Sequence, residues 1–401
     1  MRRQLATALI AALPLAGVAA PAAFSAPATK TPDVPGHLFG GAWPTGHVQG
    51  VAIDQKKGFA YYSFTQMLVK TDLEGNVIGT VQGLTGHLGD LDQNPADGRV
   101  YGSLEYKAEK AFYIAIFDVD KIDRVGMSAE KDGVMTTVHL QEVVDDFAAD
   151  MDGNGVFDGD VADTPDHRYG SSGIDGVAFG PSYAAKLDKG TKGAKGTNRG
   201  KAGKKAPYTL MVAYGIYENN DRTDNDYQVL LEYDTRGWRK YEKPLTQTAP
   251  HRSGPASEDG KYFVYTGNTR YGVQNLEYDP YTNNWMLLVY KGSKPAFPNY
   301  SMFMISAAFK PETAQIVGQA KAEEGLVIPL VRGGQYHAAS GVHGWESEGS
   351  FGFEALGGGY YYITLGKAVN EGGVRKQDAN LHLHKWTGES PTPWRQVPHV
   401  G

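Results

Sequence analysis

The chain has no cysteine in its 401 residues. Disulfides, thiolate metal sites and a cysteine nucleophile are thereby excluded, and a domain of this size must hold by core burial alone. Positive charge is not in excess: 39 basic against 45 acidic side chains give a formal net charge of -6. That balance argues against a nucleic-acid partner, which calls for a basic footprint that displaces counterions. Beyond residue 23 no apolar run approaches the ~20 residues of a membrane span. Long amphipathic helical patterns are scarce. No G-x-S-x-G elbow, H-E-x-x-H zinc motif or clear glycosidase-type carboxylate pair is present either.

What is abundant is glycine and tyrosine, 51 and 24 residues, the composition of short strands and tight turns. The N-terminus has the layout of an export signal. Arg2 and Arg3 precede an apolar run from Leu5 to Ala23, and small residues follow at Ser25 and Ala26. Residues 1–26 are expected to be a signal peptide, 27–36 a Pro- and Thr-rich linker, and the mature protein to be secreted.

From residue 37 to 401 one pattern returns. A short apolar strand turns at Asp/Gly, a strand rich in Tyr and Phe follows, and a third strand ends in Asp. Copies open at His47-Val48-Gln49-Gly50, at His87-Leu88-Gly89-Asp90 and at Gly173-Ile174-Asp175-Gly176. Further copies open near Asp259-Gly260, at Gly272-Val273-Gln274-Asn275 and at Phe351. Six copies are visible and a seventh is sought between Ala308 and Ser347. Four short antiparallel strands per repeat predict an all-β fold, a β-propeller of seven blades with six as the alternative.

Two insertions interrupt the repeats. Residues 186–205 alternate Lys, Gly and Thr with almost nothing apolar, a composition that predicts a disordered loop. Residues 145–166 carry Asp150-Met151-Asp152-Gly153-Asn154, then Asp158 and Asp160. Oxygen ligands at alternate positions with glycine at the turn suit a hard cation, so Asp150, Asp152, Asn154 and Asp158 are candidate ligands of a structural calcium ion. Val161 stands where an EF-hand has its bidentate glutamate, so the loop is not a complete EF-hand. No organic cofactor is expected.

Polar residues at blade starts face a propeller's central channel or one of its mouths. On that basis His47, His87, His167, Tyr169 and His251 are candidate catalytic groups. Gln49, Arg168, Arg252, Arg270, Tyr271 and Gln274 are candidate substrate-binding groups. His, Tyr and Arg together suit β-elimination from a uronic acid. A cation neutralises the carboxylate, one His or Tyr removes the acidified proton, and a second protonates the leaving oxygen. The expected partner is an acidic polysaccharide or oligosaccharide, and the expected state a monomer. Two alternatives stay open. One is a glycoside hydrolase using Asp90, Asp175 or Glu277. The other is a binding propeller with Tyr217, Trp238, Trp285, Tyr300 and Trp345 on its rim.

The motifs His47-Val48-Gln49-Gly50, His167-Arg168-Tyr169-Gly170 and Tyr265-Thr266-Gly267-Asn268-Thr269 resemble those of an uncharacterised family of secreted bacterial β-propellers. In architecture the chain is more distantly similar to seven-bladed polysaccharide lyases acting on rhamnosyl-glucuronate or ulvan linkages. That resemblance implies lyase activity resting on His with supporting Tyr and Arg. No catalytic motif of those enzymes matches residue by residue, so the implication concerns fold and residue type alone.

Overall fold

The computed structural model describes residues 31–187 and 208–398. The expected signal peptide and most of the Lys/Gly-rich insertion lie outside the described residues. No helix among those described is long and apolar enough to cross a membrane.

Apolar alternation and Asp/Gly turns build five antiparallel sheets. The first blade runs Val48–Asp54, Phe59–Phe64, Met67–Asp72 and Val77–Gln82, with Met127–Ser128 added in parallel at its edge. His87–Gln93, Val100–Tyr106, Ala111–Phe117 and Met135–His139 make the second. The third is Ser171–Pro181, Tyr208–Ile216, Tyr227–Tyr233 and Gly260–Tyr265, extended by Glu324–Val327 and Glu312–Gln315. Arg270–Asp279, Asn284–Tyr290 and Met302–Ser306 form the three-stranded fourth. Phe353–Gly357, Tyr360–Leu365 and Val374–Trp386 form the fifth, and His37–Trp43 completes it from the other end of the chain. In that closure Leu38 lies opposite Leu381 and His37 opposite His382.

The first strand of each sheet touches the first strands of the sheets before and after it, so the five close into a ring. This is a five-bladed β-propeller, not the seven- or six-bladed one expected. Two segments account for the miscount. Gly260–Tyr265, taken as a blade start, is the fourth strand of the third blade, paired with Tyr227–Tyr233. The stretch 308–347 has no buried apolar run from which to build a sheet. Its strand Glu312–Gln315 is exposed along its whole length, and the rest adds an edge strand and the small hairpin of Gln335–His337 with Val342–Gly344.

The blades pack through side chains that the alternating pattern sends to both faces of each sheet. Trp285, Tyr61, Tyr62, Tyr113, Tyr214 and Tyr262 are among the largest fully buried ones. Each such ring removes 150–250 Å² from water, worth a few kcal/mol at roughly 25 cal/mol per Å², which offsets the lack of disulfides. Tyr217, Trp238, Trp285, Tyr300 and Trp345 all belong to this buried set, so the rim-binding alternative loses its contact surface. The end of the expected linker also docks: the hydroxyl of Tyr362 donates to the carbonyl of Pro35 at 2.6 Å.

At the axis the inner strands come close enough to need glycine. A Cβ on Gly50 would lie 2.6 Å from Cα of Asp90. Ser63 donates to the carbonyl of Gly89 and Ser103 to that of Asp175, stitching each blade to the next. Asp90 spans further. Its carboxylate accepts N–H bonds from Leu91, Val177 and Leu276, on the second, third and fourth blades. Asn275 donates to the carbonyl of Gln49 on the first blade at 2.7 Å. Both bonds join blades that are not neighbours in the ring, so at this level the channel is filled.

Candidate functional site

Above that plug, where the inner strands begin, the ring gathers a polar array. Strand pairing sets it up: His87 lies opposite Glu105 across the Asp97-Gly98 hairpin, and Arg270 lies opposite Tyr290. His87 is the centre. Its Nε2 meets the amide of Gln49 at 2.8 Å. Its Nδ1 lies 3.5 Å from Oε2 of Glu105 and 3.9 Å from Oδ1 of Asp175. With the Gln49 amide donating, Nε2 is the acceptor and Nδ1 carries the proton toward the carboxylates. Burial alone would lower the pKa of His87. The bond to Glu105 and the charges of Asp175 and Glu105 outweigh it and raise the pKa above the ordinary value.

Glu105 is held in turn. Oε1 accepts the N–H of Ile174 at 2.6 Å, an approach possible because the next residue back is Gly173, at φ +116, whose Cβ would collide with that oxygen. Burial, with the charge of Glu105 adding to it, pushes the carboxyl of Asp175 up to about 7. Gln274 donates to its Oδ2 at 2.9 Å and also to the carbonyl of Tyr271. Lys107 lies 3.8 Å from Glu105 and 3.6 Å from Asp160, and Asp160 accepts the hydroxyl of Tyr217. On the opposite side Nε2 of His47 meets the hydroxyl of Tyr290 at 3.4 Å, and its ring packs edge-on against Phe351. Burial, then the charge of His87, lowers the pKa of His47. Tyr271 stands exposed on the rim at φ 61, beside Arg270, which is paired with Glu218.

The mouth continues sideways. Tyr290 and Phe351 also line a cavity of about 620 Å³ between the fourth and fifth blades. Ser347, Glu348, His384 and Trp394 complete much of its wall. A ligand held there would reach His47 across those two shared aromatic rings.

Of the expected site residues the mouth collects His47, Gln49, His87 and Gln274, with Arg270 and Tyr271 on its rim. Five others lie elsewhere. His167 is fully buried between Phe147, Phe157 and Tyr217, its Nδ1 on the carbonyl of Phe147. Tyr169 packs on Phe263, and both it and Arg168 bond Glu323. His251 meets Thr137 at 2.9 Å at the outer strand of the second blade. Arg252 is spent on the carbonyls of Lys110 and Glu109 and on His139. Glu105, Lys107, Asp160 and Tyr290 were missed. The hairpin register would have found Glu105, and no local signal points to Asp160.

In the acidic insertion, ligand oxygens of Asp150, Asp152 and Asp166 lie within 4.8 Å of one another. Asp166 is fully buried. Asn154 and Asp158 bond inside the loop instead, to the N–H of Val156 and the hydroxyl of Thr164.

No protein-family model matches the chain, and no curated protein matches it. Among solved structures it is similar to a Bacteroides caccae protein of unknown function, at 9% identity over 74% of this chain and 99% of that one, with a TM-score of 0.27. It is also similar to the Dos1 propeller, at 7% identity over 83% and 78% of the two chains, with a TM-score of 0.28.

Proposed function

We propose that the protein is an exported carbohydrate-active enzyme that cleaves a uronate-containing polysaccharide by β-elimination at this channel mouth. The observation that carries the proposal is the setting of His87, with Nδ1 backed by Glu105 and Asp175 and Nε2 held at the mouth by Gln49. A carboxylate behind Nδ1 fixes the tautomer and stabilises the imidazolium that forms when Nε2 takes a proton.

In this scheme His87 removes the proton from C5 of the uronate as the C4–O4 bond breaks and a C4–C5 double bond forms. The Tyr290 hydroxyl, beside His47, protonates the departing O4, and solvent returns the proton from His87 to Tyr290. The uronate carboxylate meets Lys107, held beside Glu105 and Asp160. In this proposal Lys107 takes the role expected of Arg168, Arg252 and Arg270.

Paired-carboxylate hydrolysis is less well supported. Glu105 and Asp175 both sit beneath one imidazole rather than flanking a space for a sugar. Asp90 is committed to three backbone N–H groups. We further propose that a structural calcium ion held by Asp150, Asp152 and Asp166 orders the loop that brings Asp160 to Lys107.

The test is incubation of the protein with a panel of uronate-containing polysaccharides, following absorbance in the unsaturated-uronate band. Wild type is expected to generate the band and His87→Ala to lose it. Reducing sugar released without new absorbance supports hydrolysis instead. No product from any acidic glycan, or full activity in His87→Ala, ends the proposal.

A further inference from the structure

The side cavity between the fourth and fifth blades has the walls of a binding site, and the β-elimination chemistry uses only its edge. Its volume of about 620 Å³ falls within the roughly 300–1,000 Å³ of small-molecule sites. Tyr290, Phe351 and Trp394 line it with aromatic rings. Tyr290 and Phe351 meet edge to face, their centroids 5.7 Å apart. Trp394 is wedged against Phe353, Tyr361 and Trp386, and its indole N–H donates to Oγ of Ser347 at 2.8 Å. Backbone bonds pin the wall beside it. The N–H of Glu346 donates to the carbonyl of Pro391 at 2.8 Å, and that of Ser347 to Oγ of Ser301 at 2.8 Å. The cavity is thus largely formed before a ligand arrives.

Its polar groups are chiefly acceptors, and their charge is negative. Lys291 is spent on Glu346 at 2.5 Å, while Glu348 on the same wall is exposed and has no ion pair among the described residues. Nδ1 of His384 meets the carbonyl of His382 at 2.8 Å, so Nδ1 carries the proton and Nε2 is left as an acceptor. Burial lowers the pKa of that ring, which favours its neutral form. Two carboxylates against one lysine disfavour an anion. Aromatic faces edged by acceptors suit a pyranose. Its C–H groups pack on the negative face of a ring, and its hydroxyls donate to carboxylate and imidazole. We propose that this cavity binds an uncharged sugar residue, the neighbour of the uronate at the channel mouth. The substrate is then a polysaccharide that combines neutral sugars with uronates. The identity of the unit at the mouth rests on the β-elimination reading, whereas the cavity's preference for an uncharged sugar does not.

The experiment is NMR of the full chain, following the indole N–H of Trp394, its signal assigned with Trp394→Phe. Cellobiose, lactose, xylobiose and digalacturonate are titrated separately. At least one of the neutral disaccharides is expected to shift that signal saturably, with an affinity at least tenfold above that of digalacturonate. Glu348→Lys, at an exposed position, is expected to tighten digalacturonate binding at least tenfold. No saturable shift with any neutral disaccharide, equal or tighter binding of digalacturonate by wild type, or no gain in Glu348→Lys would each overturn the proposal. A shift from a neutral disaccharide in protein that yields no unsaturated product from any polysaccharide supports the cavity site and ends the β-elimination reading. Unsaturated product without any such shift overturns the cavity site and leaves that reading standing.

Discussion

Replacing Glu105 by Gln removes one negative charge 3.5 Å from Nδ1 of His87 and keeps an acceptor for the N–H of Ile174. The direct attraction between an imidazolium and that carboxylate is about 2.4–4.7 kcal/mol for effective dielectric constants of roughly 40 to 20. Lys107, 3.8 Å from the same carboxylate, already offsets part of it. The share lost when imidazolium forms in the transition state is therefore on the order of 3 kcal/mol, or about a hundredfold in kcat. The pKa effect has a definite sign. Because Glu105 helps to raise the pKa of His87, its loss moves the acid limb of the pH–rate profile to lower pH. Two assays read this. Ring-nitrogen NMR on wild type should show His87 titrating above the ordinary 6.5 with its proton on Nδ1, and Glu105→Gln should titrate lower. Turnover on a cleaved polysaccharide should fall as stated. An unchanged His87 titration, or a kcat within threefold of wild type, refutes the dyad.

Asp175→Asn should be more stable than wild type at pH 8 by on the order of 4 kcal/mol, with the gap closing below pH 4. A folded carboxyl raised from 3.8 to about 7 favours folding while it is protonated and loses that contribution as pH rises through 7. Urea unfolding at the two pH values checks it, and equal stabilities at pH 8 refute it. Gly173→Ala forces a Cβ into a positive-φ position and against Glu105. It should cost about 2 kcal/mol or more and lower activity together with stability, both measured on the purified variant. Removing residues up to Trp43 deletes the strand that closes the fifth blade, and cooperative thermal unfolding should be lost or shifted down by more than 10 °C. Adding calcium to EDTA-treated protein should raise the melting temperature, and Asp150→Asn/Asp152→Asn should remove that rise.

The propeller was legible because its period is written in residues that only short strands use. His47 to Asp54, turn, Phe59 to Phe64 reads as two short strands without any tertiary information. Blade number was not legible, since a fourth strand and a first strand carry the same apolar pattern. Gly260–Tyr265 differs from a blade start only in which neighbour it pairs with. The site was half legible for the same reason. Gln49, His87 and Gln274 sit on inner strands, where repeat position fixes what faces the axis. His167, Arg168, His251 and Arg252 sit in loops whose path the repeat does not determine. His167 ended in an aromatic core and Arg252 on loop carbonyls, contacts set by chain geometry alone.

The axis shows one device used three ways. An inner-strand carboxylate in a narrow ring meets backbone N–H groups left unpaired by the blade edge. Asp90 meets three and becomes structure. Asp175 meets a glutamine amide and an imidazole, and burial pushes its carboxyl up to about 7. Among the described residues Glu277 meets none, and Glu354 keeps one oxygen without a partner. The role of each acid therefore follows the count of donors it finds: a saturated acid holds the ring, and a partly satisfied one keeps an exchangeable proton. Supplying Glu277 with a donor tests that rule directly. Leu276→Lys would disturb the packing between the third and fourth blades, whereas Asp92→Asn keeps the backbone bond or turns an amide toward the glutamates. Asp92→Asn should raise thermal stability, measured by unfolding of the purified variant in EDTA, and an unchanged or lower stability would break the link between donor count and role.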